Sequence, residues 1–456
     1  MKLKNKTLLC KMSLALAPVA LLMTIQAASA DELEAFGAAM QGGKVNFATQ
    51  YRFESVETPT TTTGQAKAST LGTRLGYETG AYHDFAVNVQ AQGVWGNKQY
   101  ANGQSDSTQA VPALNKVNDA GGVSVSQAHL IYRGIADTTI KQGRQLIRYD
   151  DDRWVGNVDW RQNWQTFDAT SVTNKSLADT TIQAAYVTNV NRPNTDGGVA
   201  GATNAAAGSI PVNTPTGNAH MKSTLVNVNN KSLSFADIVA YNYRLDYTNP
   251  LFAAASNGTA ETFGSTNTTG VKLAKEGIDV AGYKLGWTGE MANQKNFKQN
   301  TTNSNARYTN ISANVTSSIG NLKVGQEVLG SDNGASVQTP LATLFAFNGW
   351  ADKFLVTPTT GLKDTFVKAR SNAMGVVYGA DFHQFKADSN NVNLGRELDL
   401  IAEKSVDKNF SVGTRAARYK ADAATTQTSA TVANPNAGGV NLVDTNKFWL
   451  YGSYKF

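Results

Sequence analysis

The chain ends on a pattern that few environments accept. From Lys447 to the terminal Phe456, the residues Phe448, Leu450, Gly452, Tyr454 and Phe456 fall on one face. Lys447, Trp449, Tyr451, Ser453 and Lys455 fall on the other. Strict alternation marks a β-strand with two unlike faces. An apolar face set with aromatic rings suits lipid hydrocarbon and its interfaces. The same period recurs upstream. Phe85, Val87, Val89, Ala91 and Trp95 oppose Ala86, Asn88, Gln90 and Gln92, and Leu71, Thr73, Leu75 and Tyr77 oppose Arg74, Gly76 and Glu78. Tyr241, Tyr243, Leu245 and Tyr247 oppose Asn242, Arg244 and Asp246, while Ala281, Tyr283, Leu285 and Trp287 oppose Lys284. After residue 30 no window approaches the ~18 consecutive apolar residues of a membrane-crossing helix.

About 18 such segments begin near 44, 67, 84, 122, 138, 164, 179, 220, 235, 259, 277, 305, 320, 363, 374, 392, 409 and 445. Connectors after even-numbered segments are brief, as around Gly80–His83, Ile135–Asp137, Lys175–Ala178, Lys231–Ser234, Ser317–Ile319 and Val406–Lys408. Those after odd-numbered segments are often long, as in Lys98–Gly121, Asp150–Asn163, Pro193–Asn218, Ser331–Leu362 and Ala423–Val443. Hydrocarbon leaves an unpaired backbone amide or carbonyl unsatisfied, so a spanning sheet must close on itself. The expected fold is therefore all-β: a transmembrane antiparallel β-barrel of about 18 strands (16–18), with short periplasmic turns and long extracellular loops. A ring this wide leaves an aqueous channel. A propeller would show a fixed repeat, and a multidomain sandwich a Pro- or Ser-rich linker; the sequence has neither.

Residues 1–30 read as a secretory signal. Lys2, Lys4, Lys6 and Lys11 are its basic region, Met12–Ala27 its apolar stretch, and Ala28-Ser29-Ala30 a small-residue cleavage site near Ala30. Residues 31–456 then form a single barrel domain. Taking the four signal lysines from 41 Lys+Arg leaves 37 against 35 Asp+Glu, so the net charge falls from +6 to +2 and gives no reason to expect nucleic acid. The single cysteine, Cys10, lies in the signal, which removes disulfides, thiol catalysis and Cys-ligated metals from the mature chain. Cleaved, cysteine-free and β-rich, the protein fits the outer membrane of a Gram-negative cell, with lipid as its surroundings.

Two connectors do not read as solvated loops. Ser331–Leu362 carries Leu341, Leu344, Phe345, Phe347, Trp350, Phe354 and Leu355, with Asp352 and Lys353 between them. Exposed to water this would be a large apolar patch. It is expected to fold inward and narrow the pore, the alternative being packing on neighbouring loops or a subunit. The other, 149–163, holds Asp150, Asp151, Asp152 and Arg153 ahead of Arg161, with Arg144 shortly before and Asp168 just after. Arginine forks pair two-pronged with carboxylates, so this loop too is expected to be pinned in the lumen. Its arginines either meet an anionic solute or are taken up by Asp150–Asp152 and Asp168.

These two segments carry a family likeness. The run Gly-Arg-Gln … Asp-Asp-x-Arg … Gly-Asn … Trp-Arg-Gln-Asn … Thr-Phe-Asp from Gly143 to Asp168 resembles the alginate-export-type outer-membrane porins. So does Thr-Pro-Leu-Ala-Thr-Leu … Phe-Asn-Gly-Trp-Ala-Asp-Lys-Phe from Thr339 to Phe354, with support from Gly395–Asp399 and the terminal strand. The resemblance implies a single-chain barrel of about eighteen strands that conducts solutes.

The expected function is a porin for passive diffusion of small hydrophilic solutes, anions among them, with export of alginate or another anionic polysaccharide as the alternative. Candidate pore-lining cations are Arg74, Arg133, Arg144, Arg153, Arg161, Arg244, Lys284 and Arg415. Asp150, Asp152, Phe347, Trp350, Asp352 and Lys353 complete the candidate constriction. Catalysis is not expected. The four histidines (His83, His129, His220 and His383) stand apart, and there is no Gly-x-Ser-x-Gly or His-Glu-x-x-His. No cofactor or metal is expected, and the sequence is silent on oligomeric state. A plugged, adhesive barrel is the remaining rival.

Overall fold

The computed structural model describes residues 30–58, 65–99, 117, 119, 121–193, 219–248, 264–298, 304–422 and 442–456. The expected signal segment up to residue 29, and most of the expected loops 98–121, 193–218 and 423–443, lie outside the described residues. In chain order the first strands are β1 (Lys44–Glu57), β2 (Gln65–Glu78), β3 (Phe85–Gln99), β4 (Gly122–Ile135), β5 (Thr138–Gln145) and β6 (Thr166–Asn174). Next come β7 (Thr180–Asn191), β8 (Ala219–Asn230), β9 (Asp237–Leu245), β10 (Thr266–Val280), β11 (Tyr283–Asn296), β12 (Asn305–Ser317) and β13 (Gly320–Leu329). A small hairpin, β14 (Ser331–Asp332) and β15 (Ala335–Ser336), precedes β16 (Leu362–Ala373), β17 (Val376–Lys386), β18 (Asn393–Ser405), β19 (Phe410–Ala421) and β20 (Thr445–Lys455).

Apart from the hairpin, all strands join one 18-stranded sheet. Chain neighbours pair antiparallel, and β20 returns to β1 with Ala48 opposite Lys455 and Glu57 opposite Asn446. That last pairing closes the ring and leaves no sheet edge, the condition that hydrocarbon imposes. Strands begin within two residues of the expected positions, except β10 and β11, which start at 266 and 283 rather than near 259 and 277. A bulge between Lys275 and Ile278 shifts the register there. The series Ala281, Tyr283, Leu285, Trp287 keeps its period across the Ala281-Gly282 turn, so alternation alone does not mark the break. Both turn residues have positive φ (49° and 85°), the geometry of a tight two-residue hairpin turn in which glycine takes the left-handed position at no steric penalty.

Short turns (136–137, 281–282, 318–319, 374–375) crowd one end of the barrel, and the long connectors the other. The first described residue, Ala30, and the C-terminal Phe456 lie at the short-turn end. The helix α1 (Ala30–Gln41) that leads into β1 docks there: Gly80 N–H donates to Ala39 O at 2.8 Å, and Phe36 meets Tyr82 edge-on at 5.5 Å. Phe456 N–H donates to Phe47 O at 3.0 Å, and the two rings stack at 5.5 Å. Leu71, Leu75, Val89, Leu398, Leu400 and Leu450 are exposed on the outward face, while Phe47, Tyr454, Phe456 and the Phe85–Tyr132 pair rim the short-turn end. An apolar band edged with aromatic rings is what a lipid-facing barrel wall requires.

Candidate functional site

Two connectors from the long-loop end turn back over the inward face of the sheet: 146–165, between β5 and β6, and 330–361, between β13 and β16. Backbone joins them. Val155 and Leu341 form a parallel bridge, and Gly156 N–H donates to Leu341 O at 2.8 Å. Thr343 N–H donates to Asp152 O at 3.0 Å, and Thr343 Oγ1 accepts from Val158 N–H at 3.1 Å. Asp150 and Asp152 adopt left-handed φ (53° and 66°), a conformation that aspartate tolerates better than most residues. That lets the chain reverse sharply beside Tyr149, whose carbonyl accepts from Asp152 N–H at 3.1 Å.

Apolar residues of the connectors, not of the wall alone, fill this part of the interior. Trp160 stacks on Phe345 at 4.1 Å and 7°, Phe345 stacks on Trp350 at 5.9 Å and 15°, and Trp449 of the wall meets Trp160 edge-on at 5.8 Å. Trp154 lies between Tyr241 and Tyr308 and donates to Glu290 Oε1 at 2.9 Å.

Charges fasten the connectors to the wall. Arg153 Nε sits 2.7 Å from Glu327 Oε1, both side chains almost wholly buried, and its NH2 donates to Asn348 Oδ1 at 3.2 Å. Arg161 spans three elements, with Glu54 of β1 at 3.3 Å and Asp352 at 2.9 Å. Lys447 of β20 reaches the same Asp352 oxygen at 2.7 Å, and Lys272 of β10 holds both Asp150 and Asp151 at 2.8 Å. The backbone N–H groups of Trp350 and Ala351 donate to Asp399 (3.2 Å) and Glu397 (2.6 Å). A buried pair adds little net stability over an apolar pair, but losing one partner strands a charge. The clamp is therefore specific.

Burial opposes charge on Arg161, yet Glu54 and Asp352 outweigh it and hold its pKa above the usual arginine value. Among the described residues Lys353 has no carboxylate within ion-pair distance. Burial, then the neighbouring Lys447, pushes it down to about 8, with its Nζ on Thr445 Oγ1 at 3.1 Å. Burial, then Asp151, raises Asp150, and burial raises Asp152 against the pull of Arg148.

Of the candidates read from sequence, Arg153, Arg161, Asp150, Asp152, Phe347, Trp350, Asp352 and Lys353 all belong to the two connectors brought together here. Phe347 is half-buried under the Arg153 guanidinium at 4.6 Å. Arg74 and Arg415 reach the same region from opposite sides of the β1–β20 seam. Arg74 lies over Trp164 at 3.9 Å and donates to Gln162 O at 3.3 Å. Arg415 lies over Trp160 at 4.3 Å and over Trp350 at 4.9 Å, and donates to Tyr451 Oη at 3.2 Å. Arg133 and Lys284 stand apart at the short-turn end, paired with Glu78 (3.0 Å) and Asp279 (2.8 Å).

Arg144 and Arg244 do not line the lumen. Arg144 is on the outward face, gripping Asp168 two-pronged at 2.8 and 3.2 Å, while its neighbour Gln145 turns inward. Arg244 is outward and exposed, over Phe297 at 5.3 Å. The alternation in β9 is as expected, but its faces are reversed. Tyr241 and Tyr243 point inward because Trp154 (5.8 Å from Tyr241) and Tyr149 (6.1 Å from Tyr243) offer them an apolar surface.

Sequence reasoning missed Arg52, Glu54, Lys272, Glu290 and Lys447. Arg52 lies over Trp160 at 4.4 Å, pairs with Asp119 at 3.5 Å and donates to Trp160 O. Its signal was available, since Arg52 and Glu54 alternate with Tyr51 and Phe53. Two histidines are engaged in structural bonds, His383 Nδ1 with Asp364 and His129 Nδ1 with Arg144 O, each at 2.9 Å.

No protein-family model and no curated protein matches the sequence. Solved structures match the fold. Acinetobacter baumannii OccAB2 superposes with a TM-score of 0.66 at 13% identity, covering 92% of this chain and 99% of that one. Pseudomonas aeruginosa OccK9 (OpdG) gives 0.64 at 13% over the same shares. OpdK of Pseudomonas aeruginosa, an outer-membrane protein solved with vanillate, gives 0.62 at 11%, covering 91% and 99%. At these identities the likeness shows the fold: a closed 18-stranded barrel of the Occ/Opd outer-membrane porin kind.

Proposed function

We propose that this chain is an outer-membrane channel for passive diffusion of small hydrophilic solutes, with a preference for those carrying a carboxylate. Export, cleavage near Ala30 and insertion into a Gram-negative outer membrane are part of the same reading. The observation that carries the preference is the placement of Arg74 and Arg415, whose guanidinium groups rest on the indoles of Trp164 and Trp160 beside the clamped connectors. Among the described residues Arg74 has no carboxylate within ion-pair distance, and Arg415 approaches Glu403 only to 3.9 Å. Planar guanidinium forks match a passing carboxylate, while the aromatic faces hold them extended. Binding of this kind draws an anion in and still releases it.

The polyuronate-export reading that the Gly143–Asp168 and Thr339–Phe354 runs raise asks the bore to thread a polymer. Two connectors fixed to the wall by Arg153–Glu327 and Arg161–Glu54 favour small solutes instead. Every histidine contact described above is structural, so no catalytic role is assigned.

OpdK was solved with vanillate, so an aromatic carboxylate is the first solute to test. Purified protein in a planar bilayer under a KCl gradient should show an anion-directed reversal potential and block by millimolar vanillate, with little block by the matching neutral aldehyde. Cation selectivity, or equal block by both compounds, would overturn the carboxylate preference.

A further inference from the structure

At the long-connector end, the outward faces of β16 to β19 are cationic. Register places Lys363 directly opposite Lys386, and Arg396 directly opposite Lys420, with Arg418 opposite Leu398 one pair nearer the apolar band. Like charges directly across a strand pair repel at Cβ separations of ~5 Å, so two such pairs on adjoining strands are unfavourable unless an anion lies between them. Lys363 Nζ donates to Asn391 Oδ1 at 3.0 Å. Among the described residues, Lys386, Arg396, Arg418 and Lys420 show no ion pair. Gln384, Lys386, Asn393, Arg396 and Lys420 line a cleft of about 520 Å³, with Asp422 the one carboxylate on its described wall. Directly below on the same face, Phe382, Leu398 and Leu400 are exposed.

A cationic cleft on top of an apolar wall matches an amphiphile with phosphate above and acyl chains below. We propose that this cleft binds the phosphate of a phosphorylated glycolipid in the outer leaflet, held by Arg396 and Lys420 with Lys386 and Arg418 flanking, and with the acyl chains lying on Leu398 and Leu400. The inference rests on the reading of the barrel as membrane-embedded, but not on its conducting solutes.

Native mass spectrometry of the purified mature chain in detergent tests it, with bisphosphorylated lipid A as the probe. The wild type should retain lipid A, and should retain an enzymatically dephosphorylated lipid A at least about tenfold less, as expected when charge-assisted hydrogen bonds are lost. R396Q/K420Q should lose retention to the same degree. K363Q/K386Q, a second variant on neighbouring strands, should weaken it less. Equal retention of both lipids by the wild type, or undiminished retention by folded R396Q/K420Q, would overturn the proposal. Displacement of lipid A by micromolar inorganic phosphate would also overturn it, by assigning the cleft to a soluble anion. Single-channel recording of R396Q/K420Q separates the two readings: unchanged current with lost lipid supports the outer-wall site, whereas a shifted anion selectivity would place these residues in the conduction path and contradict it.

Discussion

Replacing Arg153 by Met keeps the bulk of the side chain and removes the charge that pins the 146–165 connector to the wall. Glu327 would lose a contact of 2.7 Å at a site where both side chains are nearly inaccessible. It would keep Tyr308 Oη–H and Asn348 Nδ2–H, each donating at 2.7 Å. Removing one member of a buried pair commonly costs about 3–5 kcal/mol. With two neutral donors remaining, a loss of about 2–4 kcal/mol is reasonable, taking a charged hydrogen bond at about 1.5–3. At 1.4 kcal/mol per decade, that raises the undocked population of the connectors roughly 30- to 700-fold. Lys353 reports on it. This lysine lies in the connector that Arg153 holds through Asn348, so trypsin cleaves there in proportion to the open population when opening is fast relative to cleavage. Cleavage at Lys353 should accelerate by at least about thirtyfold in R153M, and R153M/E327Q should recover much of the loss because no buried charge is then left unpaired. Cleavage within threefold of wild type in the single variant would refute the clamp as drawn.

Further outcomes follow from the same geometry. R74Q and R415Q should each weaken vanillate block by about tenfold, the worth of one charge-assisted contact, as read from concentration-dependent current block; unchanged block would remove these residues from the solute path. W350A should lose the stacking against Phe345 and about 3–5 kcal/mol of connector packing, seen as a larger and noisier single-channel current; an identical current would mean that the connector does not narrow the bore. Lys353, held down to about 8, loses its proton before an ordinary lysine at ~10.4 would, so between those values the folded chain binds fewer protons than the unfolded one and stability rises with pH. Anion selectivity should correspondingly fall from pH 7 to pH 9 in the wild type but not in K353Q; parallel falls in both would assign the titration elsewhere.

Period-2 alternation made the strands legible because the lipid contact along the outward face is continuous. It failed at β10 and β11, where the series Ala281, Tyr283, Leu285, Trp287 keeps its period across a turn that only the φ angles of Ala281 and Gly282 reveal. Alternation also says which residues share a face, not which face is inside. For Arg74 the polar side proved to be the inner one. For Arg244 it did not, because Tyr241 and Tyr243 find an apolar interior made by Trp154 and Tyr149 of a connector far away in sequence. Arg144 escaped for a related reason: its partner Asp168 is on the neighbouring strand, and the pair satisfies itself on the outward side. The composition of 331–362 marked a segment with too many apolar residues for water. The wall partners Glu327, Glu397 and Asp399 are paired to it only by the closed ring, and no local pattern announces them.

On this reading the ring is closed and its bore, narrowed by connectors, still carries water and ions. Single-channel recording of the purified mature protein beside a variant in which residues 338–357 are replaced by a short Gly/Ser bridge tests it most directly. Small stepwise currents are expected from the wild type and a several-fold larger unitary current from the variant. Silence from both, or the same unitary current from each, would contradict it.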